Sequence, residues 1–139
     1  NGRELLVVED SGSLTRYDFP PKAALGRCEC PGGPDEIFDG LVRYIDDWHA
    51  VVMTNNDRLF LIDAKSMLVR DEISIIGHEP RPVEAYYPTL RGGKTLCTDI
   101  SHFERLGDVL AVVYRRGSGI GLEGWTDSVA LLPLNMLAR

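Results

Sequence analysis

Trp48-His49-Ala50-Val51-Val52-Met53, Thr54-Asn55-Asn56-Asp57-Arg58 and Leu59-Phe60-Leu61-Ile62-Asp63 follow one another without interruption, and their reading decides the fold. The first and third pieces are short, apolar and β-prone. The middle piece is polar and suited to a tight turn, because Asn and Asp side chains bond to nearby backbone and tolerate left-handed geometry. The stretch therefore reads as a β-hairpin. Lys65-Ser66 makes a softer turn, Met67 to Ile76 supplies further β-prone residues, and Gly77 ends the run.

Upstream, Leu5-Leu6-Val7-Val8 stops at Glu9-Asp10-Ser11-Gly12, and alternation resumes in Ser13-Leu14-Thr15-Arg16-Tyr17-Asp18-Phe19. Leu14, Arg16 and Asp18 fall on one face of that second run, and Thr15, Tyr17 and Phe19 on the other. Pro20-Pro21 closes the unit, since two residues without N–H groups do not continue an internal ladder. The two hairpins superimpose without a gap at an offset of 45 residues. Leu6-Val7-Val8 falls on Val51-Val52-Met53, Leu14 on Leu59, and Asp18 on Asp63. A period of that size is the mark of a repeat architecture.

A third hairpin is expected from Val109–Tyr114 and Ser128–Leu132, joined through the glycine-rich segment from Arg115 to Asp127. Between the hairpins, Cys30-Pro31-Gly32-Gly33-Pro34 is a turn region, and Asp35 to Tyr44 suits a short helix or a strand equally. Ser101-His102-Phe103-Glu104 has capping-box spacing with Gly107 as a stop, which predicts one helical turn. The expectation is a single mainly β domain over residues 1–139, built of antiparallel hairpins, with repeat units at 4–27, 48–76 and 107–134 and at most one or two short helices.

Bulk properties agree with that class. A chain of 139 residues, 44% hydrophobic and 26% charged, is long enough to bury a core and too apolar to be disordered. A formal charge of −6 argues against broad phosphate-backbone binding, so no nucleic-acid partner is expected. No apolar run approaches bilayer-spanning length, and no membrane partner is expected. Three cysteines leave at least one thiol unpaired, which fits a reducing, cytoplasmic setting.

Leu59 to Met67, then Gly77-His78-Glu79, Val83 to Tyr87 and Gly93 to Cys97, run in an order that resembles the blades of WD40-like and YVTN-like β-propellers. The resemblance implies propeller-like blades and a turn-ordering hydrogen-bonding role for His78. Departures are plain: Ile62-Asp63 stands where a Trp-Asp pair would close a blade, and Gly-His occurs once. At about 45 residues per blade the chain holds three, whereas closed propellers have about four or more. A portion of a ring, a protomer that completes its sheets by oligomerising, and an unrelated small β sandwich or barrel all follow from the same pattern.

Several residue types invite chemistry. Arg115 and Arg116 flank Gly117, Gly119 and Gly121, with Trp125 beyond. A glycine-rich loop of this kind cradles phosphate in some folds, but the Lys-Ser/Thr ending of a P-loop is missing. Arg115, Arg116 and Trp125 are instead candidates for contact with a protein. His78 and His102 are candidates for ligand binding or for holding turns, His102 with Asp99 and Glu104 nearby in sequence. His49, inside an apolar run, reads as a packed histidine with a backbone partner. Cys28 and Cys30, with Cys97, are weak metal candidates, because Cys-x-Cys is not the usual spacing of a zinc site. Acidic pairs at Glu9-Asp10, Asp35-Glu36 and Asp46-Asp47 read as solvated loop rims.

Two function classes stand: a non-catalytic β module that binds a protein partner or itself, and a small-molecule-binding or hydrolytic protein using acidic loops and a histidine. The first is favoured, with no cofactor expected, because no compact catalytic set is visible.

Overall fold

The computed structural model describes residues 4–19, 23–73, 97–117 and 126–137. Ten strands appear there: β1 (Glu4–Val8), β2 (Leu14–Asp18), β3 (Ala24–Cys28), β4 (Phe38–Tyr44), β5 (His49–Thr54), β6 (Leu59–Asp63), β7 (Leu68–Ile73), β8 (Cys97–Leu106), β9 (Val109–Gly117) and β10 (Thr126–Pro133). One four-residue helix, α1 (Leu134–Leu137), follows. The strands form three open antiparallel meanders, β1-β2-β3, β4-β5-β6-β7 and β10-β9-β8, and no barrel closes among the described residues. The mainly β class expected from sequence is the observed one. Strands β1–β7 belong to one compact unit and β8–β10 to another.

The 45-residue offset holds at every level of the first unit. In β1–β2 the register pairs Glu4 with Asp18, Leu6 with Arg16 and Val8 with Leu14. In β5–β6 the equivalent residues pair identically, His49 with Asp63, Val51 with Leu61 and Met53 with Leu59. The third strands follow suit: Leu14 opposes Cys28 as Leu59 opposes Ile73, and both ladders shift register at equivalent points, Arg16/Tyr17 and Leu61/Ile62. A shift of this kind adds a residue and sharpens local twist. The turns match too. Glu9 N–H donates to Ser13 O at 2.8 Å, and Thr54 N–H to Arg58 O at 2.9 Å. Gly12 and Asp57, at equivalent places, both take the left-handed conformation, with φ of 89° and 58°. Sheets β1–β3 and β5–β7 are one three-stranded unit made twice, and β4 is added to the second.

The two sheets pack face to face. Leu6, Val8, Leu14 and Cys28 of the first meet Val52, Phe60, Ile62 and Val69 of the second, with Phe38 and Val42 from β4. Phe38 and Phe60 meet edge to face at 6.3 Å. Gly26 is needed at this contact, because a Cβ there would lie 2.8 Å from Met67 Cγ. In repeat terms the contacting faces are opposite ones. Leu14 corresponds to Leu59, whereas the residue it packs among, Phe60, corresponds to Thr15. The stacking is therefore head to tail.

In the second unit, Gly107 and Asp108 form a two-residue turn between β8 and β9, with Gly107 at φ 62°. Glycine at the first central position suits this hairpin geometry. The helical turn expected at Ser101–Glu104 is corrected: these residues lie inside the ten-residue strand β8. A register shift between Ile100 and His102 sets Ser101 out of the ladder and keeps Ile100 and Phe103 on one buried face. Burying those two side chains on a paired strand outweighs one local cap. The arginines also move: β9 runs through Gly117, so Arg115 and Arg116 are strand residues rather than the start of the connection.

Candidate functional site

Antiparallel strands reverse direction at every turn, so the β1–β2 turn, the 29–37 connection and the β5–β6 turn gather at one end of the first unit. They are locked together there. Gly12 O accepts the Phe38 N–H at 3.0 Å, and Gly12 leaves no room for a side chain, since its Cβ would stand 2.4 Å from Ile37 Cβ. Asn55 binds the connection three times, through its N–H to Ile37 O, its Oδ1 from Ile37 N–H and its Nδ2 to Asp35 O, each at 3.0 Å.

Glu36 is the centre of this rim. Its side chain is 3% exposed and pairs with Arg58 Nη1 at 2.6 Å, while its other oxygen accepts the Thr54 hydroxyl at 2.8 Å. Arg58 reaches on to Glu72 at 2.5 Å and lies 5.0 Å from the centre of the Phe60 ring. The guanidinium, ahead of the opposing push of burial, holds the Glu72 carboxyl below its ordinary range. Beside Glu36 lies an open pocket of about 350 Å³ lined in part by Ser11, Glu29, Cys30, Gly32 and Ile37. Its carboxylates brace the rim: Glu36 on Arg58, and Glu29 on Arg27 at 3.1 Å and on the Ser13 hydroxyl at 2.7 Å. The acidic pair Asp35-Glu36 is thus half structural, with Glu36 buried and Asp35 exposed.

At the opposite end, Asp46 accepts the backbone N–H groups of Trp48 and His49, each at 2.7 Å, and its carboxylate meets His49 Nδ1 at 2.9 Å. Burial raises the Asp46 carboxyl, but the Trp48 amide and the His49 ring and amide outweigh it and hold the group below its ordinary range. The partner of His49 is accordingly a carboxylate three residues upstream, not backbone. Lys65 Nζ stands 5.2 Å over the half-exposed Trp48 ring.

The residues singled out in the sequence do not assemble into one site. Cys28 is buried in the core, where burial first, then the neighbouring Glu29 and Cys30, pushes its thiol up to about 11. Cys30 sits at the pocket, its thiol also raised by burial. Cys97 opens β8 in the other unit. Among the described residues no three His, Cys, Asp or Glu side chains gather closely enough to hold a metal ion. His102 lies on β8 with its ring 3.4 Å from Glu104. The backbone register sets Arg115 between Asp99 and Asp127, and Arg116 between Thr98 and Thr126. Trp125 and His78 lie outside the described residues.

What the sequence reading missed is a surface. The face of β5–β7 that receives the first sheet is closed, with Ala50 and Ile62 at 0% exposure and Phe60 at 4%. On β1–β3 the equivalent face is buried at its centre, where Thr15 is 4% exposed, and open at its margin, where Leu5 is 38% exposed and Phe19, just past β2, 60%. Phe19 is the counterpart of Ala64, which is 3% exposed. Polar side chains share this face: Tyr17 donates to Glu9 at 2.5 Å, and Arg27 to the Ser13 hydroxyl at 3.0 Å. Among the described residues no helix is long and apolar enough to cross a membrane. No protein family, curated protein or solved structure matches the chain.

Proposed function

We propose that the chain is a non-catalytic, repeat-built β module, akin to propeller blades, whose work is to bind protein through the exposed margin of its first sheet at Leu5 and Phe19. One observation carries the reading. The same face occurs twice; in β5–β7 a neighbouring sheet covers it, and in β1–β3 Leu5 and Phe19 stand in solvent. Exposed apolar side chains that lie together on one face mark contact sites. The blade comparison is supported by the four consecutive antiparallel strands β4–β7, the strand number of a propeller blade, and by head-to-tail stacking of like sheets.

The test is native co-purification of the chain and of a Leu5→Glu, Phe19→Glu double variant. Both positions are exposed, so the unfolding midpoint should hold within a few degrees. Loss of all bound protein from the variant, with folding intact, supports the reading. A complex that survives both substitutions sinks it.

A further inference from the structure

We infer that Asp39-Gly40 is a site of spontaneous backbone modification, at which the folded chain converts Asp39 to isoaspartate through a cyclic imide. The pair is the one aspartyl-glycyl sequence in the chain. An aspartyl side chain closes most readily onto the next backbone nitrogen when glycine follows, because no side chain shields that nitrogen. Folding normally silences this chemistry, since a regular strand fixes the dihedrals and commits each amide to a ladder. Strand β4 leaves Asp39 and Gly40 outside that protection.

The register shows it first. Phe38 lies opposite Thr54 and Val42 opposite Val52, so β4 takes more residues than β5 to cover the same ladder, and Asp39, Gly40 and Leu41 have no partner across it. Surplus residues of this kind drop out of pairing and bend the strand. Strand β4 is also outermost in its sheet, with no strand hydrogen-bonded to its other edge among the described residues. Gly40 then takes a φ of 90°, which is not strand geometry and which side-chain-bearing residues rarely adopt. A Cβ built there would meet only Met53 Cε, at 3.2 Å, the far end of a flexible side chain. Finally, Asp39 is exposed, and among the described residues no hydrogen bond or ion pair holds its carboxylate. Asp46 and Asp63 differ in this respect: each is fixed by two backbone amides, Trp48 and His49 for the first, Lys65 and Ser66 for the second.

The reaction needs water alone. The Gly40 nitrogen attacks Asp39 Cγ, a new N–C bond forms, and the hydroxyl of the carboxyl group leaves with the nitrogen's proton as water. Water then returns to one of the two imide carbonyls. Addition at Cγ breaks the new bond and restores aspartate. Addition at the Asp39 main-chain carbonyl breaks the original peptide bond, so the main chain runs through Cβ and Cγ and a free α-carboxylate remains. One water leaves and one returns, and nothing is oxidised or reduced. The bulge takes up the added methylene while Phe38 and Val42, on either side, keep their partners Thr54 and Val52.

The test holds the full chain folded for several weeks at neutral pH and physiological temperature, with a parallel sample unfolded in guanidinium chloride. Both are digested and mapped by mass spectrometry, with fragmentation that distinguishes isoaspartate from aspartate and keeps any product at Asn1-Gly2 apart. In the folded sample isoaspartate at Asp39 should exceed that at Asp46 and Asp63 several-fold, and mildly acidic storage should add a form lighter by one water. Asp39→Glu should remove the isomer from that peptide with the unfolding midpoint unchanged, because the longer side chain closes to a larger ring far more slowly. Asp39→Asn should form the imide faster still, with loss of ammonia. Isoaspartate that appears at Asp39 only in the unfolded sample, a folded level no higher than at Asp63, or an isomer that persists in the peptide of a folded Asp39→Glu variant overturns the inference.

Discussion

Sheets β1–β3 and β5–β7 share a register, a ladder shift and a turn geometry, yet they differ in what covers their central strand. Leu59-Phe60-Leu61-Ile62 in β6 is apolar throughout and at most 4% exposed. Its counterpart in β2 is Leu14-Thr15-Arg16-Tyr17, in which only the first residue is a hydrophobic core side chain. Backbone pairing is therefore separable from burial. Hydrogen bonding and turn chemistry keep the two sheets congruent, while the number of covered faces decides which side chains each tolerates. A strand buried on both faces reads as a continuous apolar run, and a strand whose faces are partly exposed reads as a mixture.

The largest expected consequence lies at the paired positions 60 and 15. Phe60→Ala should cost about 3–5 kcal/mol in a urea titration, from lost burial and the cavity left behind. Thr15→Ala should cost about 1 kcal/mol. Both positions are 4% exposed, so equal losses would mean that the small Thr15 side chain carries as much packing as the Phe60 ring. Next come the two left-handed turn residues. Gly12→Ala adds a Cβ both to a φ of 89° and to a space filled by Ile37, so a loss of about 2 kcal/mol or more is expected. Asp57→Gly relieves the same conformation and should stay within about 1 kcal/mol of wild type.

A smaller effect sharpens the contrast between Arg16 and Leu61. The Arg16 side chain is 15% exposed and sits 3.5 Å from Glu4, and its Nε is buried without a partner. Exchanging it for the residue of the second copy, Arg16→Leu, should leave stability unchanged or raise it by about 1 kcal/mol, because a desolvated and incompletely bonded cation is replaced by packing. A loss of several kcal/mol would show that the guanidinium holds the sheets together. The smallest effect is in acid. Asp63 lies below its ordinary carboxyl range chiefly through the Ser66 amide, then, against some burial, the Lys65 amide. A depressed folded-state value stabilises above the unfolded value near pH ~4 and loses that contribution as pH falls through the folded one. Asp63→Asn should therefore flatten the acid limb of a stability–pH curve, and an unchanged limb would exclude this turn as a contributor.

Much of the fold was legible because it is local. Polar breaks at Glu9–Gly12 and Thr54–Arg58, alternation in Ser13–Phe19, and the match of Leu14 to Leu59 and Asp18 to Asp63 need only neighbours along the chain. Strand β8 was misread because a Ser-x-x-Glu spacing is the same in a helix cap and in a bulged strand; long-range pairing with β9 is what separates them. The rim was illegible for a related reason. Glu36, Arg58 and Glu72 are far apart in sequence and meet only because the β3–β4 connection and the β5–β6 turn lie at one end of stacked sheets. His49 pairing with Asp46 was within reach, since a tight turn places residues three apart side by side, but an apolar flank drew the reading toward backbone.

By itself the sequence determined the β class, the hairpins and the 45-residue repeat, because strand periodicity and turn chemistry act over a few residues. Tertiary structure alone decided which face of each sheet is covered, the head-to-tail sense of the stack and the exposure of Leu5, Phe19, Val129 and Leu131. The physical reason is that an apolar residue on a strand is written the same way whether it meets a neighbouring sheet or water. Only the placement of the sheets distinguishes the two.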